Sequence, residues 1–89
     1  MSNIRLLIAD DHSVVRQGLK HIIARDSNIK VVAEAEDGNE VLKKIKLLDI
    51  DVVLMDIEMP LKNGMETLIH LKNSNPNLPV IILSIFAEE

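Results

Sequence analysis

A three-layer α/β fold with a parallel sheet is predicted for this chain, and three observations carry that expectation. Apolar β-rich runs alternate with stretches of helical spacing in the order βαβαβαβ, joined by short connections. Three of the four β-rich runs are continuously apolar, as strands covered on both faces must be. Acidic residues close two of those runs, Asp10-Asp11 after the first and Asp56 after the third. The carboxyl ends of the strands are where open α/β sheets bind their ligands.

The elements follow in order. Ile4 to Ala9 reads as the first strand, and Val14, Val15, Leu19, Ile22 and Ile23 recur at helical spacing behind Ser13, a plausible cap. The run Ile29 to Ala35 is interrupted by Lys30 and Glu34, which suits an edge strand with one wetter face. The turn Asp37-Gly38-Asn39 introduces a second helical pattern in Val41, Leu42, Ile45 and Leu48. Asp51 to Met55 reads as the third strand. Asn63-Gly64 leads into a third helix marked by Met65, Leu68 and Ile69, and Pro76 and Pro79 bracket the loop before a fourth strand, Pro79 to Ile85. Right-handed crossovers join such strands.

The bulk composition narrows the function. A chain of 89 residues is expected to form one domain, residues 1–89, because so short a chain cannot support two cores. Phe86 is the sole aromatic residue, so aliphatic side chains must fill the interior. A net charge of −4 opposes general attraction to nucleic acid, which needs clustered Lys and Arg. The lack of cysteine removes disulfides and thiolate chemistry and suits the cytoplasm. No apolar run approaches membrane-spanning length and no leader pattern opens the chain, so a cytoplasmic protein is expected.

The strand-end acids are the chemical signal. Taken alone, Asp10-Asp11 reads as a turn with a helix-capping acid, and Asp56 as a turn residue. Converging at one sheet edge, the three carboxylates would repel one another and resist ionising unless a cation joined them. A divalent metal with hard oxygen ligands suits that set. His12 stands beside it, but imidazole suits softer metals, so a loop or helix-start role is expected. His21 and His70 read as surface residues, and Lys43, Lys44 and Lys46 as a solvated helix face. Met59-Pro60 reads as a backbone device and Gly64 as a turn glycine.

Leu7-Ile8-Ala9-Asp10-Asp11-His12, Val53-Leu54-Met55-Asp56-Ile57-Glu58-Met59-Pro60, Asn63-Gly64 and Ile82-Leu83-Ser84, in this order and spacing, closely resemble the receiver domain of two-component response regulators. The likeness covers residues 4 to 86. The triplet Asp10-Asp11-His12, with Arg16 and Gly18-Leu19, is most similar to the NarL/LuxR-type branch, whose members usually carry a C-terminal helix-turn-helix domain. The resemblance implies a flavodoxin-like (CheY-like) sheet of order 2-1-3-4-5, here incomplete as 2-1-3-4. It makes Asp56 the phosphoacceptor, which takes a phosphoryl group from a sensor histidine kinase with Mg2+. It makes Asp11 and Asp56 direct metal ligands, Asp10 a ligand through water, and the backbone carbonyl of Glu58 the third protein ligand. Ser84 resembles the switch hydroxyl that bonds the phosphoryl oxygen; by itself it reads as a strand-end serine. Signal transduction follows, with transcription regulation expected of the full-length protein and no direct nucleic-acid binding by this portion.

A complete receiver continues through a further helix, strand and helix, and its fifth strand ends in a lysine. This chain ends at Glu89, and Lys62, in the loop after Asp56, is not taken as that lysine's substitute. An apolar edge at strand four, Val80 to Phe86, is expected to promote self-association. The alternative reading is a small aspartyl-nucleophile phosphatase or phosphotransferase, which uses a second acid two residues after the nucleophile. Glu58 stands at that spacing, but the chain is short for a substrate cap, and Asp10-Asp11 favours the receiver, which is not an enzyme.

Overall fold

The computed structural model of the chain describes residues 3–59, 61 and 63–83. Strands β1 (Ile4–Ala9), β2 (Ile29–Ala35), β3 (Val52–Asp56) and β4 (Val80–Leu83) alternate with helices α1 (Ser13–Ile23), α2 (Gly38–Leu47) and α3 (Gly64–Ser74). The strands form one sheet of order β2-β1-β3-β4, and every pairing is parallel. This is the incomplete flavodoxin-like order expected, with the mixed-polarity strand β2 at one edge.

Strand parity divides the interior. Leu7, Ala9, Ala33, Ala35, Val53 and Met55 point to one face and form a buried cluster with Val41 of α2, Leu71 of α3 and Met59. The alternate positions Leu6 and Ile8 are also buried but stand outside that cluster, on the face that receives Val15, Leu19 and Ile23 of α1. Helix α1 covers the β1–β2 half of this second face, so Leu54 stays half-buried and Ile81 is 56% exposed. Burial of β1 on both faces explains its unbroken apolar sequence.

Several local expectations shift. Strand β3 starts one residue late because Asp51 replaces a ladder carbonyl with its own carboxylate: Oδ2 accepts the Arg5 N–H at 2.8 Å. His12, not Ser13, holds the cap position of α1, with extended backbone angles and no side-chain capping bond. Val14 and Ile22 lie on the outer side of α1, at 83% and 60% exposure. Helix α3 likewise turns Gly64, Thr67 and Leu71 inward and leaves Met65 and Ile69 exposed. Of the strand-four run, Ile85 and Phe86 lie outside the described residues.

Side-chain caps begin the other two helices. Asp37 accepts the Glu40 N–H at 2.9 Å, and Asn63 and Glu66 form a reciprocal capping box at α3. Gly64 is needed for close approach rather than for a turn, since its φ is not positive. An added Cβ there would overlap the Asp56 carbonyl oxygen and stand 2.6 Å from Ile57 Cα.

Candidate functional site

Register brings the acids together. Ala9 pairs with Met55 in the parallel β1–β3 ladder, so the next residues, Asp10 and Asp56, emerge side by side at the carboxyl edge. Ligand atoms of Asp10, Asp11, His12 and Asp56 all lie within 4.8 Å of one another. Three of them, Asp10, His12 and Asp56, border a hollow of about 220 Å³ that Val15, Glu58 and Leu83 also line. The carboxylates of residues 10, 11 and 56 thus cluster at one sheet edge, while the hollow itself is lined by Asp10 and Asp56 and not by Asp11.

Each acid is held differently. Asp10 is buried, and its Oδ1 accepts from the His12 backbone N–H at 2.8 Å and pairs with His12 Nδ1 at 3.0 Å. Asp56 Oδ1 accepts the Glu58 N–H at 3.2 Å. His12 Nδ1 also stands 3.0 Å from Asp11 Oδ1, but one ring N–H serves Asp10, and Asp11 Oδ1 is a buried atom that accepts no hydrogen bond from the described residues.

The electrostatics follow from this crowding. Burial pushes the Asp56 carboxyl above the ordinary aspartate range, and the neighbouring Asp10 and Asp11 push the same way against the Glu58 N–H and His12. Desolvation is thus a larger cause than either neighbouring carboxylate, whereas the sequence alone suggested mutual repulsion. His12 is raised above the ordinary histidine value, chiefly by its bond to Asp10 and then by the charge of Asp11.

Converging carboxylate oxygens, one of them buried and without a hydrogen bond among the described residues, fit a hard divalent cation. Asp10, Asp11 and Asp56 offer those oxygens, and His12 adds a nitrogen within the same cluster. His12 does stand at the helix start, as expected, yet its ring is part of the site. The Glu58 side chain is exposed at the rim of the hollow. Ser84, Pro60 and Lys62 lie outside the described residues.

The family of response regulator receiver domains matches residues 6–89. The chain belongs to that family. Transcriptional regulatory protein DegU of Brevibacillus brevis is 39% identical over 88 residues, covering 99% of this chain and 37% of DegU. A protein-glutamate methylesterase/protein-glutamine glutaminase of Carboxydothermus hydrogenoformans is 46% identical over 84 residues, 94% of this chain and 24% of that protein. Among solved structures, RcsB of Salmonella typhimurium superimposes with a TM-score of 0.89 at 29% identity, over 97% of this chain and 44% of RcsB. The response regulator domain of Thermotoga maritima CheB gives 0.87 at 41% identity, over 98% of this chain and 64% of that one. The receiver therefore spans well under half of the DegU and methylesterase relatives. The likeness to DegU and RcsB agrees with the NarL/LuxR-type character of the Asp10-Asp11-His12 segment. No described helix is long and apolar enough to cross a membrane.

Sequence reasoning missed two contributors to this receiver site. In the sequence Arg16 marks only a motif, yet its Nη1 donates to the Asp10 carbonyl oxygen at 2.6 Å and its Nε to Glu34 Oε1 at 2.9 Å. Glu34, which the sequence marks as a sign of a wet edge, also accepts from Lys20 Nζ at 2.8 Å. A charge inside an otherwise apolar strand was the available signal. Lys44, expected on a solvated face, reaches back to the Glu34 carbonyl oxygen at 2.8 Å.

Proposed function

We propose that this receiver accepts a phosphoryl group on Asp56 from the phosphohistidine of a sensor histidine kinase. The observation that carries the reading is the clustering of the Asp10, Asp11 and Asp56 carboxylate oxygens within 4.8 Å of one another at the carboxyl edge of the sheet. An ionised Asp56 oxygen attacks phosphorus, the P–N bond to the donor imidazole breaks, and an acyl phosphate forms on the carboxylate. Asp10, Asp11, Asp56 and the Glu58 backbone carbonyl would hold Mg2+. When bound, Mg2+ neutralises charge that gathers on the transferring phosphoryl oxygens. The raised proton affinity of Asp56 gives that cation a second use, because a nearby positive charge favours the ionised nucleophile. Ser84 is proposed as the hydroxyl that meets the phosphorylated site.

The output is proposed to be regulation of transcription by a longer protein, on the strength of the DegU relative. Incubation with a small acyl-phosphate donor and Mg2+, followed by mass spectrometry, tests the site. One phosphoryl group on Asp56, lost in Asp56→Asn and without Mg2+, is expected. Catalytic turnover of a phosphomonoester instead would favour an aspartyl phosphatase.

A further inference from the structure

Among the described residues no hydrogen bond steers the Asp11 carboxylate: its buried Oδ1 accepts none, and the His12 Nδ1 that stands 3.0 Å away is engaged with Asp10. Its aim depends on the backbone before it. The Asp10–Asp11 peptide is tied on its carbonyl side by Arg16 Nη1 at 2.6 Å, while the Asp10 N–H donates to the Ala35 carbonyl of β2 at 3.0 Å. Arg16 is itself held: its side chain is only 12% exposed, and its Nε is engaged by Glu34 Oε1 at 2.9 Å. Glu34 is fixed by Lys20 through Oε2 and by Lys44 through its backbone carbonyl, each at 2.8 Å. A planar guanidinium can hold both partners at once in fixed geometry, which an ammonium cannot.

We infer that Arg16, oriented by Glu34, is a positioning residue for metal binding: by clamping the Asp10 carbonyl it aims the Asp11 carboxylate into the site. The inference rests on the proposed Mg2+-dependent receiver site. A salt link that only fastened α1 to β2 would have no need to reach the Asp10 carbonyl. This arm reaches into the turn that carries both strand-end acids, and outer contacts of this kind typically change metal affinity by about 10- to 100-fold.

Arg16→Lys keeps the charge opposite Glu34 and Glu34→Gln keeps the shape, so both are expected to fold. Mg2+ titration well below the unfolding temperature should give a Kd about tenfold weaker in each variant than in the unaltered chain. In metal-free protein, carbon-13 NMR of the carboxyl groups should show the Asp11 signal moved in both variants and the Asp51 signal, at the opposite edge of the sheet, unmoved. Variants that lose thermal stability but keep the original Kd and the original Asp11 signal would overturn the inference, leaving Arg16 a structural tie. If the unaltered chain binds no Mg2+, the proposed site fails, and the metal-positioning role fails with it. A moved Asp11 signal in that case would show a backbone clamp without a metal function.

Discussion

Gly64, the first residue of α3, lies so close to the Asp56 carbonyl oxygen that a Cβ at this position would overlap it. The Gly64 N–H also donates to the Ile57 carbonyl at 2.6 Å, closing the loop that follows Asp56. Backbone meets backbone there, so no side-chain rotation relieves the clash. Gly64→Ala is expected to cost about 1–3 kcal/mol, as overpacked sites do. It should also weaken the response to Mg2+, because the loop that carries Glu58 must shift. Urea unfolding with and without Mg2+ checks both effects; an unchanged midpoint would contradict the packing argument.

Asp56 has a raised proton affinity in the folded chain, with burial the leading cause. A raised acid favours folding fully below its ordinary value, and that advantage is lost as pH rises through the shifted value. At neutral pH the ionised carboxylate is therefore a net cost to the metal-free fold. Asp56→Asn should unfold at higher urea than the unaltered chain when metal is absent, with a weaker dependence on pH. At a hundred times its Kd, Mg2+ should add about 2.7 kcal/mol to the unaltered chain and markedly less to the variant.

Glu34 has the opposite sign. Its bond to Lys20, followed by its bond to Arg16, holds its carboxyl below the ordinary glutamate range against the effect of burial. The stability it contributes is present above the ordinary glutamate value and is lost as pH falls through the lowered one. Acid unfolding followed by circular dichroism should show Glu34→Gln less stable than the unaltered chain near neutrality, with the two curves converging at low pH. Parallel curves throughout would remove the ion-pair explanation.

The α3 capping box offers a local test. Asn63 Oδ1 accepts the Glu66 N–H at 2.9 Å, and Glu66 Oε1 accepts the Asn63 N–H at 3.3 Å. Asn63→Ala should cost about 1 kcal/mol, and Asn63→Asp should retain most of the stability because aspartate caps equally well. Thermal unfolding of the two variants side by side measures the difference.

Much of the site was legible because its signals are local. Asp10 and Asp56 each end an apolar strand, and the string from Met59 to Gly64 marks the turn into a helix. The part Gly64 plays was not legible: the sequence marks a turn glycine, while the steric reason lies in the approach of α3 to β3. Arg16 and Glu34 escaped for the same reason, since their pairing depends on how α1 settles across the edge strand. The outward faces of α1 and α3 were hidden too. Val14, Ile22, Met65 and Ile69 share the apolar character of their buried neighbours, and only docking decides which turn inward.

The order of elements, the buried status of β1 and the placing of acids at strand ends were set by the amino-acid sequence alone, through the periodicity of apolar side chains and the chemistry of turns. Tertiary structure decided how those acids face one another. The alignment of Ala9 with Met55 turns separate strand-end carboxylates into one cluster, and the packing around it raises Asp56 while Asp11 Oδ1 accepts no hydrogen bond among the described residues. Charge interaction and desolvation depend on distances between residues remote in sequence, and only the closed sheet fixes those distances.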